Sequence, residues 1–192
     1  MPETPLRYAT PAAWTETVTA DFDSVLLDHA AAETKASGMA ISMLSHYPAR
    51  LELVSAMADL AVEELTHYRE VVKWIHRRGL VTGSDQKDPY VLEFRKTIRQ
   101  GREANLLDRL LTASIIEARG AERFGLVAEA LEQGALKTFY RSIARSEERH
   151  YTLFLDLAGR YIDADTIERR WDELLAIEAD IVRKLPIRAA LH

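Results

Sequence analysis

The sequence contains no cysteine. Disulfides, thiolate metal sites and cysteine-ligated iron–sulfur clusters are therefore excluded. If the chain does redox chemistry, its electrons come from another protein. It also lacks an apolar run long enough to cross a membrane. The stretch from Met1 to Asp21 has early acids and no basic segment leading into an apolar core, so it does not read as a secretion signal. A cytoplasmic protein is expected. Proline is scarce, with six residues, and all six fall where helices are expected to start, stop or be absent. Excess positive charge is missing too: the net charge is −5, which argues against a large nucleic-acid surface while leaving room for a local patch.

What is present points to one domain. With 192 residues, 47% of them hydrophobic, the chain can bury a full four-helix core. Its organising feature is Glu64-x-x-His67, which recurs as Glu147-x-x-His150. Residues three apart on a helix share a face, so each pair aims a carboxylate and an imidazole at one point. With 18 Glu and 6 His, chance alone supplies about half a match to this pattern. The context is less ordinary. Leu53, Met57, Leu60, Glu64, His67, Val71 and Trp74 alternate spacings of four and three, the rhythm of a core-facing seam. Leu136, Tyr140, Ile143, Glu147, His150, Phe154, Leu157 and Tyr161 repeat it.

Two further seams carry a single acid each. Glu33 sits among Leu26, Ala30, Ser37, Ala40 and Leu44, and Glu117 among Leu106, Leu110, Ala113, Gly120, Phe124, Val127 and Leu131. Glu33 precedes Glu64 by 31 residues and Glu117 precedes Glu147 by 30. The chain thus reads as two copies of one unit, a Glu helix followed by a Glu-x-x-His helix.

Burying a charge is costly unless it is paired or binds metal. Four carboxylates on core seams are neutralised by two divalent ions. A one-Glu, one-Glu, two-Glu-x-x-His set is the pattern of ferritin-like di-iron and di-manganese carboxylate proteins. The expected fold is all-α: a ferritin-like four-helix bundle with a long crossover between helices two and three and an added C-terminal helix. Glu33, Glu64, His67, Glu117, Glu147 and His150 are the candidate ligands. Oxygen-rich ligation favours iron or manganese over zinc or copper. The bland alternative, a structural bundle with buried acid–histidine bonds, has to account for six such residues on four core faces.

In chain order, residues 1–20 predict an extended lead-in with a short turn of helix around Trp14. Asp21 or Asp23 caps a first long helix running to His46, in which Gly38 suits close packing. Tyr47-Pro48 breaks the chain. A second helix runs from Arg50 to Arg78 and stops at Gly79. A loop covers Thr82 to Pro89, and residues 90–102 form a short basic crossover helix. Helix three spans Ala104 to Glu132 and ends at Gly134, and helix four spans Leu136 to Tyr161. Asp165-x-x-Glu168 reads as a capping box for a terminal helix over 166–185, with Trp171, Leu174, Leu175 and Ile181 packing.

Several polar residues have two readings. His29, one turn before Glu33, is a partly exposed histidine near the bundle end or else a partner of Glu33. Gly120 either shapes an oxygen or substrate pocket or serves close packing. Lys137, Arg141, Arg145 and Arg149 form a stripe pointing outward. Arg95, Lys96, Arg99 and Arg102 concentrate positive charge on the crossover helix, where phosphates could be contacted.

Four segments carry a resemblance to a known family. They are Leu26-Leu-Asp-His-Ala-Ala-Ala-Glu33-Thr-Lys35-Ala36, Glu63-Glu64-Leu-Thr-His67-Tyr68, Ile116-Glu117-Ala-Arg119-Gly-Ala-Glu122-Arg123-Phe124 and Ser146-Glu147-Glu-Arg-His150-Tyr151. Together they resemble the bacterial tRNA hydroxylases of the MiaE type. The likeness runs over nearly the whole chain and is most specific at Glu117-Ala-Arg119-x-x-Glu122-Arg123-Phe124. It implies a non-haem monooxygenase with two carboxylate-bridged iron ions, rather than manganese, held by the six residues above. O₂ is the implied cosubstrate, with two electrons from a ferredoxin or flavoprotein reductase. The implied substrate is the isopentenyl group of 2-methylthio-N6-isopentenyladenosine in tRNA. Three other readings share the ligand set: a ferritin- or rubrerythrin-like iron-oxidising protein, a di-iron oxygenase on another substrate, and a di-manganese catalase. Oligomeric state is left open.

Overall fold

The computed structural model describes residues 4–83 and 87–192. Among the described residues there are seven helices and no strand: α1 (Ala12–Ala20), α2 (Phe22–His46), α3 (Leu51–Arg77), α4 (Pro89–Arg95), α5 (Arg102–Ala130), α6 (Ala135–Tyr161) and α7 (Ala164–Lys184). Within the expected lead-in, Pro2 lies outside the described residues, as do residues 84–86 of the expected loop.

The chain divides into two compact units. One comprises the described residues of Ala20–Gln86 with Ala189–Leu191; the other comprises those of Met1–Thr19 with Lys87–Arg188 and His192. This division separates the two copies of the Glu helix and Glu-x-x-His helix seen in the sequence.

In the first unit α2 packs on α3. Asp21 starts α2 by accepting the Ser24 N–H at 3.2 Å. Pro48 follows its end, and α3 stops at Gly79, whose φ of 74° is a conformation that a Cβ would penalise. The Ser37 hydroxyl donates to the Ala61 carbonyl at 3.0 Å and sets the register of the pair near Glu33 and Glu64. Gly38 has nothing within 4 Å of where its Cβ would sit, so its small size is not used for packing, contrary to expectation.

In the second unit α5 packs on α6, α7 and α4. The Ser114 hydroxyl donates to the Tyr151 carbonyl at 2.8 Å, the counterpart of the Ser37 bond. Trp171 of α7 stacks on Tyr151, and Leu174 and Leu175 are buried, as the terminal-helix pattern predicted, whereas Ile181 is half-buried and Ala179 and Val182 are buried in addition.

Four boundaries and the burial of one side chain differ from expectation. The lead-in holds a nine-residue helix, α1, anchored by buried Trp14 and Val18. The crossover helix is only Pro89–Arg95, capped by Asp88, and α5 already starts after Gly101, whose φ is 95°. Gly134 precedes α6 rather than ending α5, which stops at Ala130. The cap of α7 is Asp163, accepting the Thr166 N–H at 2.9 Å, while Asp165 lies in the first turn. The last difference is Lys137, buried rather than outward: its Nζ donates to the carbonyls of Glu129 and Leu131 at the C-terminal end of α5.

Candidate metal centre

Each unit contributes three of the six predicted residues from the same two places, one Glu on its first long helix and a Glu-x-x-His on its second. In the α2–α3 unit, one ligand atom each of Glu33, Glu64 and His67 lies within 4.8 Å of the others. His67 Nδ1 is 3.2 Å from Glu64 Oε2 and 3.7 Å from Glu33 Oε2. Burial alone would lower the His67 pKa, but hydrogen bonds and charge from Glu33 and Glu64 outweigh it and raise it to about 10. The cluster therefore favours positive charge.

In the α5–α6 unit, Glu117 and His150 offer ligand atoms within 4.8 Å of each other, and His150 Nδ1 lies 3.9 Å from Glu147 Oε2. A Cβ on Gly120 would sit 3.5 Å from Glu147 Oε2, ordinary contact, so this glycine keeps the space beside the carboxylate free of larger side chains. Its position follows from the seam, one turn after Glu117.

The burial of these groups settles what they are suited to. Glu33, Glu64, Glu117 and Glu147 are all buried, the most exposed of them Glu117 at 6%. A fully buried seam residue such as Met57 or Phe154 contributes about 1.5–3 kcal/mol, whereas an isolated buried carboxylate costs far more. Two carboxylates and one imidazole per unit are an oxygen-rich set for a hard divalent ion, with one such ion balancing two negative charges. The residues present fit a metal.

Of the two readings of His29, the structure bears out the partner of Glu33 and not the partly exposed histidine. It is fully buried, and its Nε2 lies 2.6 Å from Glu33 Oε1. The signal was available in the four-residue spacing to Glu33. Two buried ion networks in the α5–α6 unit were missed altogether. Asp108 is fully buried and accepts from Arg99 at 2.8 Å and from Arg170 at 2.9 Å. Burial would raise its pKa, and the two guanidiniums hold it below the usual carboxylate range. Arg119 donates to Glu178 through Nε at 2.9 Å and Nη2 at 3.1 Å, to the Tyr8 carbonyl at 2.8 Å, and also to Glu122. Arg123, over the Trp14 ring, is pulled down to about 10 by burial and by the charge of Arg119. Asp108 and Arg119 fall with Thr112, Ile115 and Glu122 on a second stripe of α5, whose polar members read as a solvent face.

The positive patch predicted on the crossover is reduced. Arg99 is committed to Asp108, and Lys96 pairs with Glu93 at 2.6 Å, while Arg95 and Arg102 remain exposed. Of the α6 stripe, Arg141, Arg145 and Arg149 are exposed as expected, with Arg141 paired to Glu129 at 3.0 Å.

Comparison with known proteins places this geometry. A solved structure, a protein from Synechococcus described as having aldehyde deformylating oxygenase activity, superposes with a TM-score of 0.92 at 32% identity, covering 97% of this chain and 94% of that one. The fold class is all-α and ferritin-like. The tRNA 2-(methylsulfanyl)-N(6)-isopentenyladenosine(37) hydroxylase of Pseudomonas putida strain KT2440 is 34% identical over 91% of this chain and 84% of its own length. The enzyme of the same name from Salmonella typhimurium strain LT2 is 34% identical over 68% of this chain and 48% of its own. The family model described as tRNA-(MS[2]IO[6]A)-hydroxylase (MiaE) matches residues 3–192, and the chain belongs to that family.

Proposed function

We propose that this chain is an O₂-dependent di-iron hydroxylase. Its substrate is the isopentenyl group of 2-methylthio-N6-isopentenyladenosine in tRNA, and residues 1–192 work as one ferritin-like domain in the cytoplasm. The observation that carries the reading is the duplicated, buried set of one Glu with one Glu-x-x-His, on a chain matched over residues 3–192 by a tRNA hydroxylase family. Among the described residues no helix is long and apolar enough to cross a membrane.

Glu33, Glu64, His67, Glu117, Glu147 and His150 would hold two iron ions, one divalent charge for each pair of buried carboxylates. When bound, the ions supply the reduction of O₂ by two external electrons, so that one oxygen atom enters a C–H bond and the other leaves, with two protons, as water. The apolar residues of the four seams keep water from the carboxylates, which holds the donor set dry and rigid. Gly120 leaves open the space beside Glu147. With no cysteine in the chain, the electrons come from a separate donor of ferredoxin or flavoprotein-reductase type.

The test is nucleoside mass analysis of isopentenylated tRNA incubated with iron-loaded protein, O₂ and a reducing system. A gain of one oxygen atom on the isopentenyl adenosine is expected. Glu117→Ala and Glu147→Ala should each lower bound iron and abolish that gain. Full iron and normal turnover in both would remove the ligand assignment. One observation favours a second reading, an oxygenase of the same fold on an aldehyde: the likeness to the Synechococcus protein. Unmodified tRNA, together with consumption of an aldehyde under the same reducing conditions, would select it.

A further inference from the structure

His29 is a fully buried imidazole that the six-residue donor set does not use. It lies one helical turn before Glu33 on α2, and a spacing of four puts the two side chains on the same face. The Nε2–H donates to Glu33 Oε1 at 2.6 Å. The other oxygen, Oε2, faces His67 Nδ1 at 3.7 Å. The two oxygens of Glu33 are therefore not equivalent: one is held within its own helix, and the other is turned toward Glu64 and His67.

We propose that His29 is a positioning residue that clamps Oε1 of Glu33 and leaves Oε2 as its single ligating oxygen. The inference rests on the metal reading above. Burial supplies the physical reason. A charge-assisted hydrogen bond between two groups out of water is short and strong, and neither group has solvent as a competing partner. Rotation of the Glu33 carboxylate about its last bond would break that bond. The clamp thus restricts Glu33 to one-oxygen ligation and prepares it before metal arrives. Hydrogen-bonded partners of ligating groups typically carry about 10–100-fold in metal affinity.

The experiment is anaerobic titration of the apo-protein with Fe²⁺ alone, read by equilibrium dialysis and metal analysis, with circular dichroism confirming the helical fold. Three variants are compared with wild type. His29→Phe fills the site without a donor. His29→Gln places an amide N–H near the position of Nε2, and His29→Asn is too short to reach Glu33. Expected are a loss of about 10–100-fold in Fe²⁺ affinity for the Phe and Asn variants and recovery of most of it with Gln. Wild-type affinity in His29→Phe or His29→Asn would overturn the clamp while leaving the metal reading intact. So would a loss in His29→Gln as large as in His29→Asn, because shape rather than the donated hydrogen bond would then be responsible. Should His29→Phe fail to fold, the Gln and Asn pair decides. A wild-type protein that binds no Fe²⁺ would take down the ligand assignment, and the clamp with it.

Discussion

Replacing Arg119 by Met tests the network that ties three parts of the α5–α6 unit together. Arg119 and Glu178 are both fully buried, and Arg119 makes two hydrogen bonds to that carboxylate, from α5 to α7. It also bonds the Tyr8 carbonyl at 2.8 Å and the Thr10 hydroxyl at 3.1 Å, anchoring the segment before α1. Methionine matches the stem of the side chain and removes all of these donors. Glu178 then keeps only the Tyr90 hydroxyl at 3.2 Å among the bonds described. Removing one partner of a buried pair costs about 3–5 kcal/mol, most of it from the charge left behind. For a chain of this length each kcal/mol lowers the melting temperature by about 2–4 °C, so a fall of roughly 6–20 °C is expected. The assay is thermal and urea unfolding followed by circular dichroism, on wild type, Arg119→Met, Glu178→Gln and the double variant. Because the cost comes from the stranded carboxylate, the double variant should be more stable than Arg119→Met. A coupling energy below about 1 kcal/mol would refute the reasoning, as would a single variant within about 1 kcal/mol of wild type.

Two further predictions rest on other parts of the molecule. Asp88 caps α4 and lies 3.0 Å from His192 Nδ1. Burial would raise its pKa, but the imidazole and the N–H groups of Val91 and Tyr90 bring it to about 2 from an ordinary 3.8. A folded-state pKa below the unfolded one stabilises above about pH 4 and is lost as pH falls toward 2, up to about 2 kcal/mol here. The stability gap between wild type and Asp88→Asn, measured by urea unfolding, should therefore narrow from pH 7 to pH 2; a gap independent of pH would count against it. At Gly120 a Cβ meets Glu147 only at ordinary contact distance. Gly120→Ala should then gain about 0.5–1 kcal/mol in thermal unfolding with metal content unchanged, since alanine suits a helix interior better. Gly120→Leu should displace the Glu147 carboxylate and lower bound iron, and full loading in that variant would remove this role for the glycine.

Much of this protein was legible in its sequence because the periodicity of a helix is local. Alternating spacings of three and four around Glu33, Glu64, Glu117 and Glu147 located the four long helices and their buried faces, and the repeat at 31 and 30 residues exposed the duplication. The six candidate ligands lie on those faces, buried or, for His67, nearly so. Ends were read less well. Gly134 could close α5 or open α6, and Asp163 and Asp165 both suit a helix start; the choice depends on the backbone around them rather than on residue type.

Only the tertiary structure decided the fate of charged residues outside the seams. Arg119, Asp108 and Lys137 look like solvated positions, because a charge on a helix usually faces water. Arg119 and Asp108 are buried because Glu178 and Arg170 are brought to them from α7, and Lys137 because the turn before α6 folds it back on the carbonyls at the end of α5. His29 was undecided for the same reason. A histidine four residues before a glutamate can reach it or turn away, and what holds it is packing that excludes water. Sequence by itself determined which faces of the helices are apolar and that six candidate ligands fall on them. Tertiary structure determined which of the remaining polar groups lose their water, since that depends on neighbours distant in the chain.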